Sequence, residues 1–405
     1  MISAADSPFS WVRLAANLAL STMGGIGMWS VVVVLPSLQA EFGVDRSGAT
    51  LPYVATMAAI ALGGLFMGRL VDRIGVALPV LGGAISLSLG YLLAGLSTSL
   101  LQFTLIQAVL IALLGASTTF GPLVADTSLW FTRRRGIAVA ICASGNYLAG
   151  TIWPPILQYL IATQGWRMTH TIIGCVSLVV MLPLVLVLRR KPPQEPAATA
   201  TSLARRLGVA GISPGMVQGM LVLAGLACCV AMSMPQVHIV AYCADLGYGP
   251  AQGAAMLSLM LGFGIVSRLA SGLVADRIGG FPTLLLGGVL QACALVLYLM
   301  FDGLGSLYVI SAMFGLFQGG IVPSYALVVR ELFPASEAGT RVSAVLMATV
   351  LGMAVGGWLS GVIFDLTGSY ADAFLNGIAW NLVNIGIVAL LLRRRRVRLR
   401  EVLLF

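Results

Sequence analysis

One octapeptide occurs twice, as GRLVDRIG at Gly68–Gly75 and as GLVADRIG at Gly272–Gly279. The copies stand 204 residues apart (272 − 68) in a chain of 405, and each directly follows a long apolar run. A loop that recurs at half the chain length implies two homologous halves, which confines the fold to duplicated architectures. Other landmarks repeat at nearly the same offset: Gly121-Pro122 returns as Val322-Pro323, and Asp126 returns as Glu331.

The runs between these landmarks set the solvent. Hydrophobic residues make up 59% and charged residues 9%, with a mean hydropathy of +0.99. Soluble domains carry roughly 45–50% apolar and 25% charged residues, so this chain belongs in a bilayer. Twelve stretches are long enough to cross a ~30 Å hydrocarbon core. They lie near 12–36, 48–68, 76–97, 101–125, 137–162, 168–188, 214–240, 251–271, 281–301, 305–329, 342–364 and 373–392. The first run is long enough to be a span and is read as one, not as a cleaved leader. The expected fold is an all-α membrane protein: twelve transmembrane helices in two pseudo-symmetric six-helix bundles. RRKPPQEPAATATSLARRLG is the one polar, proline-containing linker. It divides the chain into an N-terminal half (1–188), a linker (189–212) and a C-terminal half with a basic tail (213–405).

Nearly all of the 23 Lys and Arg fall in alternate gaps, and the opposite gaps hold only Arg46 and Arg167. The positive-inside rule then places both termini in the cytoplasm, in agreement with an even span count. The net charge of +9 is read as a set of topology determinants facing anionic lipid, not as a nucleic-acid surface. The six cysteines sit in or beside apolar spans without a CxxC pair or a histidine cluster, so neither a disulfide framework nor a metal site is expected. No cofactor is implied, and a monomer is expected.

The GxxxDRxG loop, the twelve spans and the central basic linker resemble the major facilitator superfamily over essentially the whole chain. In the loop, Gly68 and Gly272 are expected to permit close helix approach, and Gly75 and Gly279 the turn. Asp72, Arg73, Asp276 and Arg277 offer charges to neighbouring helix ends. Asp126 and Glu331 are expected to pair with the loop arginines and latch the outward-facing state. A narrower resemblance lies within this. SLWFTRRRGIAVAICASGNYLAG (Ser128–Gly150) looks like the fourth-to-fifth span connection of monocarboxylate transporters and oxalate/formate antiporters. EFGVDRS (Glu41–Ser47), MPQVHIVAYCADLGY (Met234–Tyr248) and SRLASGLVADRIG (Ser267–Gly279) are similar to bacterial members.

Arg268 is the charge that stands out inside a span. An arginine near a helix centre costs ~2.5–3.5 kcal/mol to insert and usually faces a functional cavity, and its planar fork matches a carboxylate. A snorkelling or packing arginine is the plainer alternative. The resemblance implies the substrate role, because an eighth-span arginine binds the carboxylate in monocarboxylate transporters. His238, in the seventh span, is read either as an interhelical hydrogen-bond partner or, by the resemblance, as a cavity residue able to titrate. His170 reads as an outer-surface residue. Met28, Trp29, Thr118, Phe120, Asn146, Tyr147, Gln318 and Tyr325 are expected to line the pocket. Asn381 and Asn384 are set aside, since the twelfth span of this fold packs outside. Trp29 falls where animal relatives place a lysine, and Gly264 where they carry an acid, so their coupling scheme does not transfer directly.

No HExxH, paired carboxylates or activated nucleophile suggests an enzyme. The expected function is secondary transport of small organic anions, with proton-linked monocarboxylate symport first. Organic-anion exchange of the oxalate/formate type, or drug/proton efflux on the same fold, is the alternative. GTIWPPILQYL (Gly150–Leu160) departs from the glycine-rich fifth-span element of efflux proteins, which disfavours efflux. The expected partners are a carboxylate, protons and membrane lipid, in a bacterial inner membrane.

Overall fold

The computed structural model describes residues 6–131, 134–190, 212–333 and 335–403. The linker at 189–212 falls almost wholly outside them, as do the side chains of Asp72 and Asp276. Every regular element among the described residues is helical. Helix α1 has two parts, Pro8–Gly24 and Ile26–Phe42; α2 is Arg46–Ile74 and α3 Ala77–Gly95. Helix α4 starts at Leu100–Ile106, passes through a π-helical stretch, Gln107–Gly115, and a 3-10 turn, Ala116–Thr118, and ends as Gly121–Trp130. Arg135–Ala143 and the run Gly145–Val187 supply α5 and α6. Then come α7 (Pro214–Asp245), α8 (Pro250–Ile278), α9 (Gly280–Met300), α10 (Leu304–Gln318 and Ile321–Leu332), α11 (Ala335–Thr367) and α12 (Tyr370–Leu403).

Among the described residues, eleven helical stretches are long and apolar enough to cross a membrane. One of them, Ile137–Val187, is 51 residues long, more than twice the ~20 that a crossing needs. At Gly165 its backbone leaves the helix (φ +77°, ψ 159°), a conformation open only to glycine, so the run is two spans, α5 to 164 and α6 from 166. The total is twelve.

The duplicated loops share one backbone shape. Gly75 ends α2 at φ +81°, ψ 168°, and Gly279 follows α8 at φ +90°, ψ 165°. Their N–H groups bond Val71 O and Ala275 O, both at 2.8 Å. These two glycines make the turn, as the sequence implies. Gly68 and Gly272 do not bring helices together, because a Cβ at either would meet nothing within 4 Å. Close approach occurs instead on α11, where Gly352 and Gly356 seat against the carbonyls of Leu226 and Val230 on α7. This small-xxx-small arrangement lets backbones pack without a side chain between them.

The contacts divide the chain into two compact units. The first comprises α1–α6 with Ile239–Gly262, and the second comprises the rest of α7 and α8 with α9–α12. One division falls within the expected linker, between residues 196 and 197, and the stretch Ile239–Gly262 of α7 and α8 additionally joins the first unit. The reason is visible in the first unit. Arg46, at the start of α2, bonds both carboxylate oxygens of Asp245, at the end of α7, at 3.1 and 3.0 Å.

Candidate functional site

The second unit holds Arg268 beside a break in α10. Helix α10 is interrupted at Gly319–Gly320, between Leu304–Gln318 and Ile321–Leu332, although both glycines keep right-handed helical dihedrals. Pro323 lacks an N–H and so removes one bond across the interruption. Helix α8 packs into the gap. The carbonyl of Gly264 and the side chain of Ser267 fill the space beside Gly319, and Ser271 fills that beside Gly320. Ser267 Oγ accepts the N–H of Gly320 at 3.1 Å, satisfying a donor that the break would otherwise strand. Arg268 is the next residue of α8 and is half-buried. It lies ten residues before Ile278 (278 − 268) and eighteen after Pro250, or about 15 Å and 27 Å from the two helix ends at 1.5 Å per residue.

Gln318 completes this region. It is fully buried, and its Oε1 accepts from Gln236 Nε2 of α7 at 2.7 Å. Its own Nε2 has no acceptor among the described residues. An amide donor buried without a partner is an uncommon and costly arrangement. Gln236, two residues before His238, is a contributor not counted among the expected pocket residues.

Three expected pocket residues face elsewhere. His238 is fully buried, with Nε2 2.8 Å from the carbonyl of Gly357 on α11 and Nδ1 3.2 Å from Tyr370 Oη. A carbonyl only accepts, so Nε2 donates to Gly357, and the histidine ties α7 to α11 and α12, the interhelical alternative. Tyr325 is also fully buried and donates to Asn384 Oδ1 at 2.6 Å, and Asn381 in turn donates to Gly288 O at 2.8 Å. These residues form a scaffold ladder through α9, α10 and α12. Thr118, in the first unit, bonds its own helix at Gly115 O (2.7 Å) and presses on Gly83 of α3.

The remaining first-unit candidates cluster on α1 and α5. Trp29 Nε1 donates to Asn146 O at 3.0 Å, and Asn146 Nδ2 points at Met28 Sδ at 3.7 Å. Tyr147 is buried next to them in sequence, whereas Phe120 is 42% exposed at the interruption of α4. Helices α4 and α10 are thus both interrupted just before a proline-bearing half-helix, Gly121–Trp130 and Ile321–Leu332. His170 is buried, not on the surface, and packs against Trp166 and Phe103.

The acidic residues at the ends of α4 and α10 choose partners other than the loop arginines. Asp126 takes two bonds of 2.8 Å from Arg13 and one of 3.1 Å from Asn17. Glu331 pairs with Arg395 of α12 and accepts the N–H of Gly280 at 2.7 Å, capping the start of α9. Arg73 and Arg277 are exposed. Burial explains the difference: Arg13 is 1% exposed, and a buried cation and anion must satisfy each other. Arg13 and Asn17, spaced i and i+4 on one helix face, were the sequence signal for this centre.

Twelve spans, two copies of one loop and paired mid-span interruptions are the build of a polytopic membrane transporter. Residues 18–311 match the Major Facilitator Superfamily, and the chain belongs to that family. It is 28% identical over 305 residues to "Monocarboxylate transporter 13" of Bos taurus, covering 73% of this chain and 69% of that one. It is 27% identical over 396 residues to "Monocarboxylate transporter 11" of Homo sapiens, covering 91% and 80%. Among solved structures, a bacterial homolog of the human lysosomal transporter Spinster aligns with a TM-score of 0.74 at 16% identity, covering 98% of this chain and 99% of that one. A POT family transporter in complex with 5-aminolevulinic acid aligns with a TM-score of 0.75 at 13% identity, covering 94% and 96%. At these identities the structures speak for the fold alone.

Proposed function

We propose that the chain carries small organic anions by alternating access, as a proton-linked monocarboxylate symporter whose basic loops and termini face the cytoplasm. The observation that carries this reading is Arg268, a guanidinium at membrane depth on a helix packed into the broken centre of α10. It offers a fork to one carboxylate, and Gln318, held by Gln236, has an amide proton to give a second polar group of the substrate. The names of the relatives point to the same substrate class. The direct test is uptake of radiolabelled lactate, pyruvate and short-chain acids into proteoliposomes with and without an imposed pH gradient. Accumulation driven by the gradient supports symport, stimulation only by internal anion marks exchange, and transport of neither acid class rejects the reading.

In this reading His238 serves as a tie between helices, as its bonds to Gly357 and Tyr370 suggest, and the acid substrate itself carries the proton. His238→Gln is expected to retain gradient-driven accumulation while losing about 1–3 kcal/mol of stability, the cost of a disturbed buried bond. Accumulation that vanishes in a variant with native thermal stability returns the proton to the histidine.

Alternating access also needs a closure at the end opposite the basic loops, and the Arg46–Asp245 pair has that position. Arg46→Asp is expected to lower uptake about tenfold by setting a carboxylate at a buried position against the exposed Asp245, and Arg46→Asp with Asp245→Arg to recover most of it. Failure of the swapped pair to recover uptake removes this contact from the cycle.

A further inference from the structure

A crevice of about 310 Å³ lies in the second unit among α8, α9 and α10. Its walls include Leu286, Leu316 and Phe317, and its polar atoms are the hydroxyls of Ser267, Ser271 and Thr283. Each hydroxyl is already engaged: Ser267 with Gly320 N–H, Ser271 with Arg268 O and Thr283 with Gly279 O. The crevice therefore presents carbon and has little to offer water, which needs two to four polar partners to stay. Its rim is exposed and apolar, with Leu286 at 46% and Leu316 at 40%. In a membrane-spanning chain, an open apolar recess at this depth is filled by hydrocarbon.

The recess points toward the end of the bundle that bears the basic loops. On α8, Ser267, Ser271, Val274 and Arg277 follow the i, i+3, i+4 spacing that puts residues on one face. Arg277 is ten residues beyond Ser267 (277 − 267) and three beyond Val274, so the wall lies about 5–15 Å deeper than this arginine. That is the depth of an acyl chain below its headgroup. On α10, Leu316, Gly320, Leu327 and Arg330 follow the same kind of stripe. Arg277 and Arg330 are both exposed, so two cations stand at the basic end of the stripes that wall the crevice.

We propose that this crevice is a binding site for one anionic phospholipid, with an acyl chain in the recess and the headgroup phosphate at Arg277 and Arg330. The chain would lie against Gly320 and Ser267, at the break in α10, and so would support the segment on which Arg268 is mounted. Neither Arg268 nor Gln318 is among the residues lining the crevice, and the proposal does not depend on which solute is carried.

The test is native mass spectrometry of the full-length protein extracted from vesicles of phosphatidylcholine containing one-fifth phosphatidylglycerol. The unaltered protein is expected to retain one phosphatidylglycerol. Arg277→Gln with Arg330→Gln should remove the preference over phosphatidylcholine, about fivefold for each arginine lost. Ala270→Trp, which fills the recess from its exposed rim, should abolish retention of either lipid. Equal retention of both lipids by the unaltered protein overturns the proposal, as does a bound lipid that survives in a folded Ala270→Trp. Because both arginines are exposed, the double variant keeps the test decisive even if the tryptophan variant does not fold.

Discussion

Arg268→Ala is expected to reduce anion uptake by about 100-fold at substrate concentrations well below KM. The estimate follows from losing charge-assisted hydrogen bonds worth ~1.5–3 kcal/mol each. Arg268→Lys keeps the charge but replaces a planar fork by a single rotating point donor, so an intermediate loss of roughly tenfold is expected. The split between KM and maximal rate is informative. An arginine that only binds substrate raises KM, whereas one that also exchanges partners during the cycle lowers the maximal rate as well. The helix should survive either change, because Ser267, not Arg268, makes the bond to Gly320. Native transport kinetics in Arg268→Ala place the anion elsewhere, and loss of folded protein in both variants makes the residue structural.

The parts of this fold legible in the sequence are those governed by local or periodic physics. Span length follows from bilayer thickness, and Gly75 and Gly279 follow from a turn that other residues enter only under strain. The duplication was visible because those turns must be made twice. Partner choice was not legible. Asp126 precedes Arg133–Arg135 by only 7 to 9 residues in sequence (133 − 126, 135 − 126), yet its partner, Arg13, is 113 residues distant. The charge in the loop and the charge at the start of α1 look equally available until packing buries one and exposes the other. Gly68 and Gly272 misled for a related reason: a repeated spacing says that glycine stands there, and only the neighbouring helix says whether anything approaches it. His238 fell between two readings because a histidine that binds helices together and one that faces a cavity occupy the same kind of apolar stretch. Its two bonds, to a carbonyl and a tyrosine, favour the first. For Arg268 the sequence supplied the residue and its depth, and the structure added that its helix neighbours Ser267 and Ser271 pack against the interruption of α10.

Arg13→Ala is expected to be the most destabilising single change in the first unit, costing about 3–5 kcal/mol. Arg13 is enclosed on every side. It grips Asp126 through two nitrogens, donates to the carbonyls of Val187, Leu188 and Arg190 at the end of α6, and lies 4.5 Å over the ring of Trp130. One side chain therefore joins α1, α4 and the C-terminal end of α6, where a cation also suits the helix dipole. Removing it leaves a buried carboxylate with only Asn17 and strands three carbonyls. Asp126→Ala strands the guanidinium instead and should cost a similar amount. Replacing both, as Arg13→Met with Asp126→Leu, removes the two charges together and is expected to restore most of the lost stability, because the desolvation cost disappears with the attraction. Thermal denaturation of the three purified variants measures this coupling. Transport by the stable double variant then separates two roles for Asp126. Uptake near the unaltered level makes the pair a structural fastening of the first unit. A well-folded double variant that binds substrate but does not turn over would instead show that Asp126 must be free to change partners during the cycle, with Arg73 of the duplicated loop as the natural second one.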